Sequence, residues 1–207
     1  MTADGHHFAA GDGGGNVSVW DTVTGAELRS WQAHGRQEFE AMMLHLNECM
    51  DYSADGQHLV TGGMDGLVKV WDPETGRLER QMKGYSGGVV GVHFTPDQRR
   101  LISQGWDGNA REGAVRLWDP ATGKELLSLS DPLFKGVWTW FVTVSPDGHR
   151  VFSAPGNGRE VIIWEGATPE QVATWRRDEE ADAALWASEQ PKVEARRLAR
   201  IGSNAKN

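Results

Sequence analysis

Cysteine is almost missing: Cys49 is the only one in 207 residues, so no disulfide within the chain can staple a small secreted scaffold. Proline is scarce as well, with 8 residues, which excludes collagen-like and proline-rich linker chains. No apolar run approaches the ~18 residues of a membrane-spanning helix. Met1–Gly15 carries no basic stretch followed by an apolar one, so no secretory signal is legible. Positive charge is in deficit, with 21 Lys and Arg against 29 Asp and Glu, a net charge of −8 and a pI near 5.4. Such a chain has no overall footprint for nucleic acid. The expectation is a soluble, cytoplasmic chain of one domain plus a tail, with neither nucleic acid nor membrane as partner.

What is abundant is glycine, 26 residues, and tryptophan, 10 residues. Four of the tryptophans recur in one setting: Val17-Ser-Val-Trp20-Asp-Thr-Val-Thr-Gly25, Val68-Lys-Val-Trp71-Asp-Pro-Glu-Thr-Gly76, Val115-Arg-Leu-Trp118-Asp-Pro-Ala-Thr-Gly123 and a degenerate Val161-Ile-Ile-Trp164-Glu-Gly-Ala-Thr168. They fall about 46–51 residues apart, a period that marks a repeat architecture. A second motif precedes each copy: Ala3-Asp-Gly5, Ser53-Ala-Asp-Gly56, Thr95-Pro-Asp-Gln98 and Ser145-Pro-Asp-Gly148.

The third copy shows the physics of one unit. Val89–Thr95 and Arg100–Ser103 are short β-branched and apolar segments, and the Thr-Pro-Asp-Gln between them is a turn with proline where its fixed φ helps. Val115–Asp119 alternates as a half-buried strand does. Asp119–Gly123 is the next turn and Lys124–Ser130 the next strand. A four-stranded antiparallel sheet of this kind cannot bury both faces alone and must stack on its neighbours. Radial stacking of such sheets is a β-propeller. The fold expected is therefore all-β, a propeller segment of about 3.5–4 four-stranded blades, with a C-terminal α-helical extension.

The Ser-Pro-Asp-Gly turn, the Asp-Gly turn and Val-x-Val/Leu-Trp-Asp together resemble the WD40-repeat family over about Met1–Trp164. The boundaries implied are repeats at about 1–33, 34–83, 84–130 and 131–166, then a charged helical tail at 167–207. The resemblance implies a structural hydrogen-bond tetrad in each blade: a His before the first strand, a Ser or Thr on the second, an Asp in the next turn and a Trp on the third. His34, Thr61, Asp65 and Trp71 supply it in the second copy. The third supplies Ser103, Asp107 and Trp118, with Tyr85 where His is expected. The fourth has Ser153 and Trp164, with Asn157 near the Asp position. The first has Ala10 in place of the Ser or Thr, and no Asp at the aligned position.

His34, Thr61 and Asp65 have the composition of a catalytic triad, but a carboxylate between strands must be paired, and the tetrad provides the pairing. Gly11–Asn16 lacks the Gly-Lys-Ser/Thr of a phosphate loop and leads into a strand, so it is a hairpin turn. Asp12 and Asn16 lack the spacing of a calcium loop. His6-His7 is expected in a solvated turn, and Cys49 as a small buried apolar residue. Asp21-Thr-Val-Thr-Gly25…Trp31 misses the Asp-x-x-Thr-Gly-Trp pattern of quinone-cofactor propellers, and the other copies lack the Trp. No catalytic residue, cofactor or metal is expected.

The resemblance places the turns between second and third strands, and the loops entering each first strand, on one rim. A protein or peptide partner is expected there, and Arg36, Met64, Tyr85, Trp106, Arg111 and Trp140 are the candidate contacts, because Trp, Tyr and Arg dominate interface hot spots. Phe134 and Trp138 are further candidate anchors, with a place in the core as the alternative for Trp106, Trp138 and Trp140. Met1–Gly5 lies in the turn after a first strand, so the first blade is expected to lack that strand, and the last to end without a fourth. Exposed strand rows invite pairing, with other propeller blades or a second copy completing the ring, or with the chain's own N-terminal segment closing a four-bladed one. Thr168-Pro-Glu-Gln171 reads as a helix start, and Lys192–Lys206 is locally basic. Such a tail looks like those of large bacterial WD40-repeat proteins, whose C-terminal part the chain resembles and some of which carry a serine/threonine kinase domain. The function expected is a non-catalytic interaction scaffold within a larger multidomain protein. A propeller enzyme, a sensor module attached to a kinase, and an inactive fragment are the alternatives.

Overall fold

In a computed structural model of the chain, the structure describes residues 1–35, 49–107, 112–129, 139–155 and 160–166. Fourteen antiparallel strands form four sheets, and there is no helix among the described residues. The first sheet is β1 (His7–Gly11), β2 (Asn16–Asp21) and β3 (Glu27–Gln32). The second is β4 (Cys49–Tyr52), β5 (Leu59–Gly62), β6 (Leu67–Asp72) and β7 (Arg77–Lys83). The third is β8 (Val89–Phe94), β9 (Leu101–Asp107), β10 (Glu112–Trp118) and β11 (Glu125–Leu129). The fourth is β12 (Thr139–Val144), β13 (Arg150–Pro155) and β14 (Ile162–Glu165). Within every sheet the strands are ordered as in sequence, so each is a simple meander. The expected helical tail at 167–207 lies outside the described residues.

Local chemistry explains the meander. In each Ser/Thr-x-Asp turn the hydroxyl donates to the Asp carboxylate, at 2.6 Å from Thr2 to Asp4, Ser53 to Asp55 and Thr95 to Asp97. The carboxylate then accepts the backbone N–H two residues on, as in His6, Gln57 and Arg99. In each Asp-x-x-Thr-Gly turn the Asp carboxylate accepts the Thr backbone N–H, as Asp21, Asp72 and Asp119 do from Thr24, Thr75 and Thr122. These are the Asx and ST turns that such residues favour. The register shifts just before the repeat tryptophan in three sheets, between Val19 and Trp20, Val70 and Trp71, and Leu117 and Trp118.

Sheet packs on sheet through one recurrent pairing. Leu59 pairs across the strands with Trp71, and Leu101 with Trp118; these four residues are buried. Leu59 and Trp71 pack against Ala9, Val17 and Val19 of the first sheet. Leu101 and Trp118 pack against Val60, Val68 and Val70 of the second. Ile102 and Val115 of the third sheet meet Val142, Val151 and Trp164 of the fourth. Strand β8 lies against β4 and β5 on one side and β12 on the other, so first strands neighbour first strands. The arrangement is propeller-like, and truncating Leu59 or Leu101 to Ala removes about 2–5 kcal/mol of burial and packing.

Candidate functional site

Four residues, from the loop after β3, from β5, from the β5–β6 turn and from β6, converge between the first two sheets. His34 is 1% exposed and Thr61 is fully buried. His34 Nε2 lies 2.8 Å from Thr61 Oγ1, and Trp71 Nε1 donates to the same oxygen at 2.9 Å. His34 Nδ1 lies 2.9 Å from Asp65 Oδ1. Gly63 makes room for the imidazole, because a Cβ there would fall 2.3 Å from His34 Nδ1. Burial pushes the Asp65 pKa up, but the hydrogen bond and charge of His34 outweigh it and the net pKa is lowered. Lys69, 3.7 Å from Asp65, donates to the Ala33 carbonyl at 2.6 Å and so ties this carboxylate to the end of the first sheet.

The third sheet solves the same problem differently. Tyr85 OH lies 2.9 Å from Ser103 Oγ, and Trp118 Nε1 donates to that oxygen at 2.8 Å. Asp107 does not close onto residue 85: its carboxylate accepts the backbone N–H of Ser86 at 3.0 Å. Arg116, at the position of Lys69, stacks 4.7 Å from the Tyr85 ring centroid. Tyr85 is therefore corrected from a rim contact to a core residue, 2% exposed, because its hydroxyl takes the place of an imidazole nitrogen against Ser103. Burial pushes its phenol up. In the fourth sheet the buried Ser153 hydroxyl has no partner among the described residues, and Asn157 lies outside them. Cys49, expected as a small buried apolar residue, is half-buried and packs against the core shared by the second and third sheets.

Of the other rim candidates, Met64 and Trp106 are half-buried and meet over Gly88, where a Cβ would fall 2.6 Å from the indole and 2.7 Å from the Met64 sulfur. Trp140 lies in β12. Arg36 and Arg111, with Phe134 and Trp138, lie outside the described residues. On the opposite turns the structure brings together residues not singled out from the sequence. A cleft of about 730 Å³ lies between the second and third sheets, with His58, Arg80 and Phe94 in its lining. A smaller one of about 220 Å³ lies between the first and second, with His7, Arg29 and Tyr52 in the same register positions. Arg80 Nε donates across the junction to the Ala121 carbonyl at 2.8 Å, and Arg29 likewise to that of Glu74. The signal was available: both arginines stand at the same distance after the repeat tryptophan. Among the described residues no group of three or more His, Cys, Asp or Glu could hold a metal ion.

The comparisons agree with this geometry. The family model of the WD domain, G-beta repeat, matches residues 45–72 and 76–119. The chain is 30% identical over 92 residues to cilia- and flagella-associated protein 52 of Mus musculus, covering 44% of this chain and 14% of that protein. It is 28% identical over 154 residues to periodic tryptophan protein 2 of Arabidopsis thaliana, covering 74% of this chain and 15% of that protein. It is 27% identical over 105 residues to the meiotic recombination protein rec14 of Schizosaccharomyces pombe, covering 51% and 32%. The chain thus spans only a small part of the length of these relatives. With the repeated turns, the His34–Thr61–Asp65–Trp71 network and the family match in agreement, the chain carries WD40 repeats over residues 45–72 and 76–119.

Proposed function

We propose that the chain is a non-catalytic protein-interaction scaffold, a β-propeller segment acting within a larger multidomain protein in the cytoplasm. The observation that supports this most is where the polar chemistry goes. His34, Thr61 and Asp65, which together have the composition of a triad, are spent on each other and on the Trp71 indole. Their work is to hold a buried carboxylate and hydroxyl between sheets, which would otherwise be costly. What is left for function is surface, and the rim supplies a half-buried Met64 and Trp106 side by side. A flexible thioether beside an indole suits a protein or peptide partner.

The test compares wild type with the double variant Met64→Ala, Trp106→Ala by quantitative affinity enrichment from the native cytosol. The proteins enriched by wild type should fall at least tenfold in the variant while the melting temperature stays within a few degrees. Equal enrichment by both chains removes the rim from the proposal. Fractionation of the native cell checks the cytoplasmic location.

A further inference from the structure

The two clefts between the first three sheets repeat one design and differ at one telling position. The smaller, of about 220 Å³, is lined by His7, Val19, Arg29, Tyr52, Pro73 and Glu74. The larger, of about 730 Å³, has His58, Val70, Arg80, Phe94, Pro120 and Ala121 at the matching positions. The register is the same: Arg29 pairs across the strands with Val19, and Arg80 with Val70. Each guanidinium is pinned by two backbone carbonyls. Arg29 donates to those of Leu28 and Glu74, and Arg80 to those of Glu79 at 2.7 Å and Ala121 at 2.8 Å. A guanidinium held in this way loses little further freedom when a ligand arrives.

The difference is a carboxylate. Glu74 puts one into the lining of the smaller cleft, and the larger has Ala121 there. The acidic groups that the larger cleft does hold are engaged. Glu79 Oε2 lies 2.8 Å from His58 Nδ1, and Glu79 Oε1 lies 2.9 Å from Arg77 Nη2. Asp55 accepts the Ser53 hydroxyl and the Gln57 backbone N–H. Arg80 is in no ion pair among the described residues. Val70 and Phe94 give the same lining an apolar part. The larger cleft has the volume of a ligand pocket, about 300–1,000 Å³, and the smaller falls short of it.

We propose that the cleft between the second and third sheets is a second docking surface, for an acidic segment of a protein partner. A carboxylate of the partner pairs with Arg80 in the cleft position that Glu74 fills at the neighbouring junction. An apolar side chain beside it in the partner lies against Val70 and Phe94. This rests on the scaffold reading, but not on the rim of Met64 and Trp106. Both walls belong to the second and third sheets, so the site does not depend on what adjoins the first or the fourth. An arginine–carboxylate pair is charge-assisted and can be bidentate, which fixes orientation as well as adding affinity. At an exposed position it is screened, so the affinity should fall as salt rises.

The experiment selects peptides for the full chain from a random linear library displayed on phage, then titrates the enriched peptides, labelled with fluorescein, by polarisation. They should carry Asp or Glu beside a large apolar residue and bind more weakly in high salt. Arg80→Gln removes the charge from the cleft. Ala121→Glu supplies from the chain itself the carboxylate that the first junction already has. Residues 80 and 121 are exposed, so both variants should keep the wild-type melting temperature and far-ultraviolet spectrum, yet bind at least tenfold more weakly. The chain with Met64→Ala and Trp106→Ala should bind these peptides as wild type does. Enriched peptides without acidic residues, or equal binding by wild type, Arg80→Gln and Ala121→Glu, overturn the proposal. Binding lost only in the Met64→Ala, Trp106→Ala chain overturns it too, but leaves the scaffold reading standing. A wild-type chain that enriches no peptide overturns the scaffold reading along with it, so the two failures are told apart.

Discussion

The Tyr85 hydroxyl lies 2.9 Å from the Ser103 hydroxyl, in the place where the preceding repeat sets His34 Nε2 2.8 Å from Thr61. One site on the fold is thus filled by two different chemistries. The imidazole reaches both the hydroxyl and the Asp65 carboxylate. The phenol reaches the hydroxyl and the Ala114 carbonyl, and Asp107 is left to accept from Ser86.

That difference sets the cost of breaking each network. Asp65→Ala removes the carboxylate that faces His34, Lys69 and the Leu67 backbone N–H. Leaving these groups unpaired should cost about 1–3 kcal/mol and lower the melting temperature by several degrees. An unchanged melting temperature would show that the network is not structural.

The two tyrosines should respond oppositely to loss of the hydroxyl. Tyr85→Phe removes the bond to Ser103 and should destabilise by about 1 kcal/mol. Tyr52 is also buried, but its hydroxyl has no partner among the described residues and burial pushes its phenol up to about 12. Tyr52→Phe should therefore be neutral or stabilising in urea unfolding, since an unsatisfied buried hydroxyl is lost. Equal destabilisation by both substitutions would contradict the assignment.

Gln98 stands where the other turns have glycine, with φ at 59°, and is the one non-glycine residue at positive φ among the described residues. Its amide oxygen accepts the Ala54 N–H at 2.8 Å and so links two sheets. Gln98→Ala keeps the left-handed backbone and loses the link, and should be the less stable of two variants. Gln98→Gly loses the link but relieves the backbone, and should exceed the alanine variant by about 0.5–1 kcal/mol. A glycine variant no more stable than the alanine one would mean that residue 98 leaves the left-handed region.

Acid should unfold this protein through its turns. The Thr2, Ser53, Thr75, Thr95, Thr122 and Ser145 side chains hold Asp4, Asp55, Asp72, Asp97, Asp119 and Asp147 below the ordinary carboxylate range, and the Asp65 pKa is lowered too. A depressed folded pKa contributes stability above the unfolded value of 3.8 that is lost as pH falls through the folded one. The melting temperature should be level from neutral pH to about 5 and fall steeply below. Ser53→Ala should flatten the acid limb. A melting temperature that rises below pH 4 would reverse the sign of this linkage.

By itself the sequence determined the strands, the turns and the repeat, because those signals are local. The Asp and Thr of Asp72-Pro-Glu-Thr75 bond within their own turn, and alternation in Val68–Asp72 needs no distant partner. The His34, Thr61, Asp65 and Trp71 group could be named from the resemblance, but bonds across 27 and 31 residues are closed only by the fold. Whether Tyr85 faced a partner or the core was decided by Ser103, Trp118 and Arg116 arriving around it. The sequence placed Phe8 and Leu59 alike in their strands. Tertiary structure alone decided that one is buried and the other open, because burial belongs to the neighbouring sheet and not to the residue.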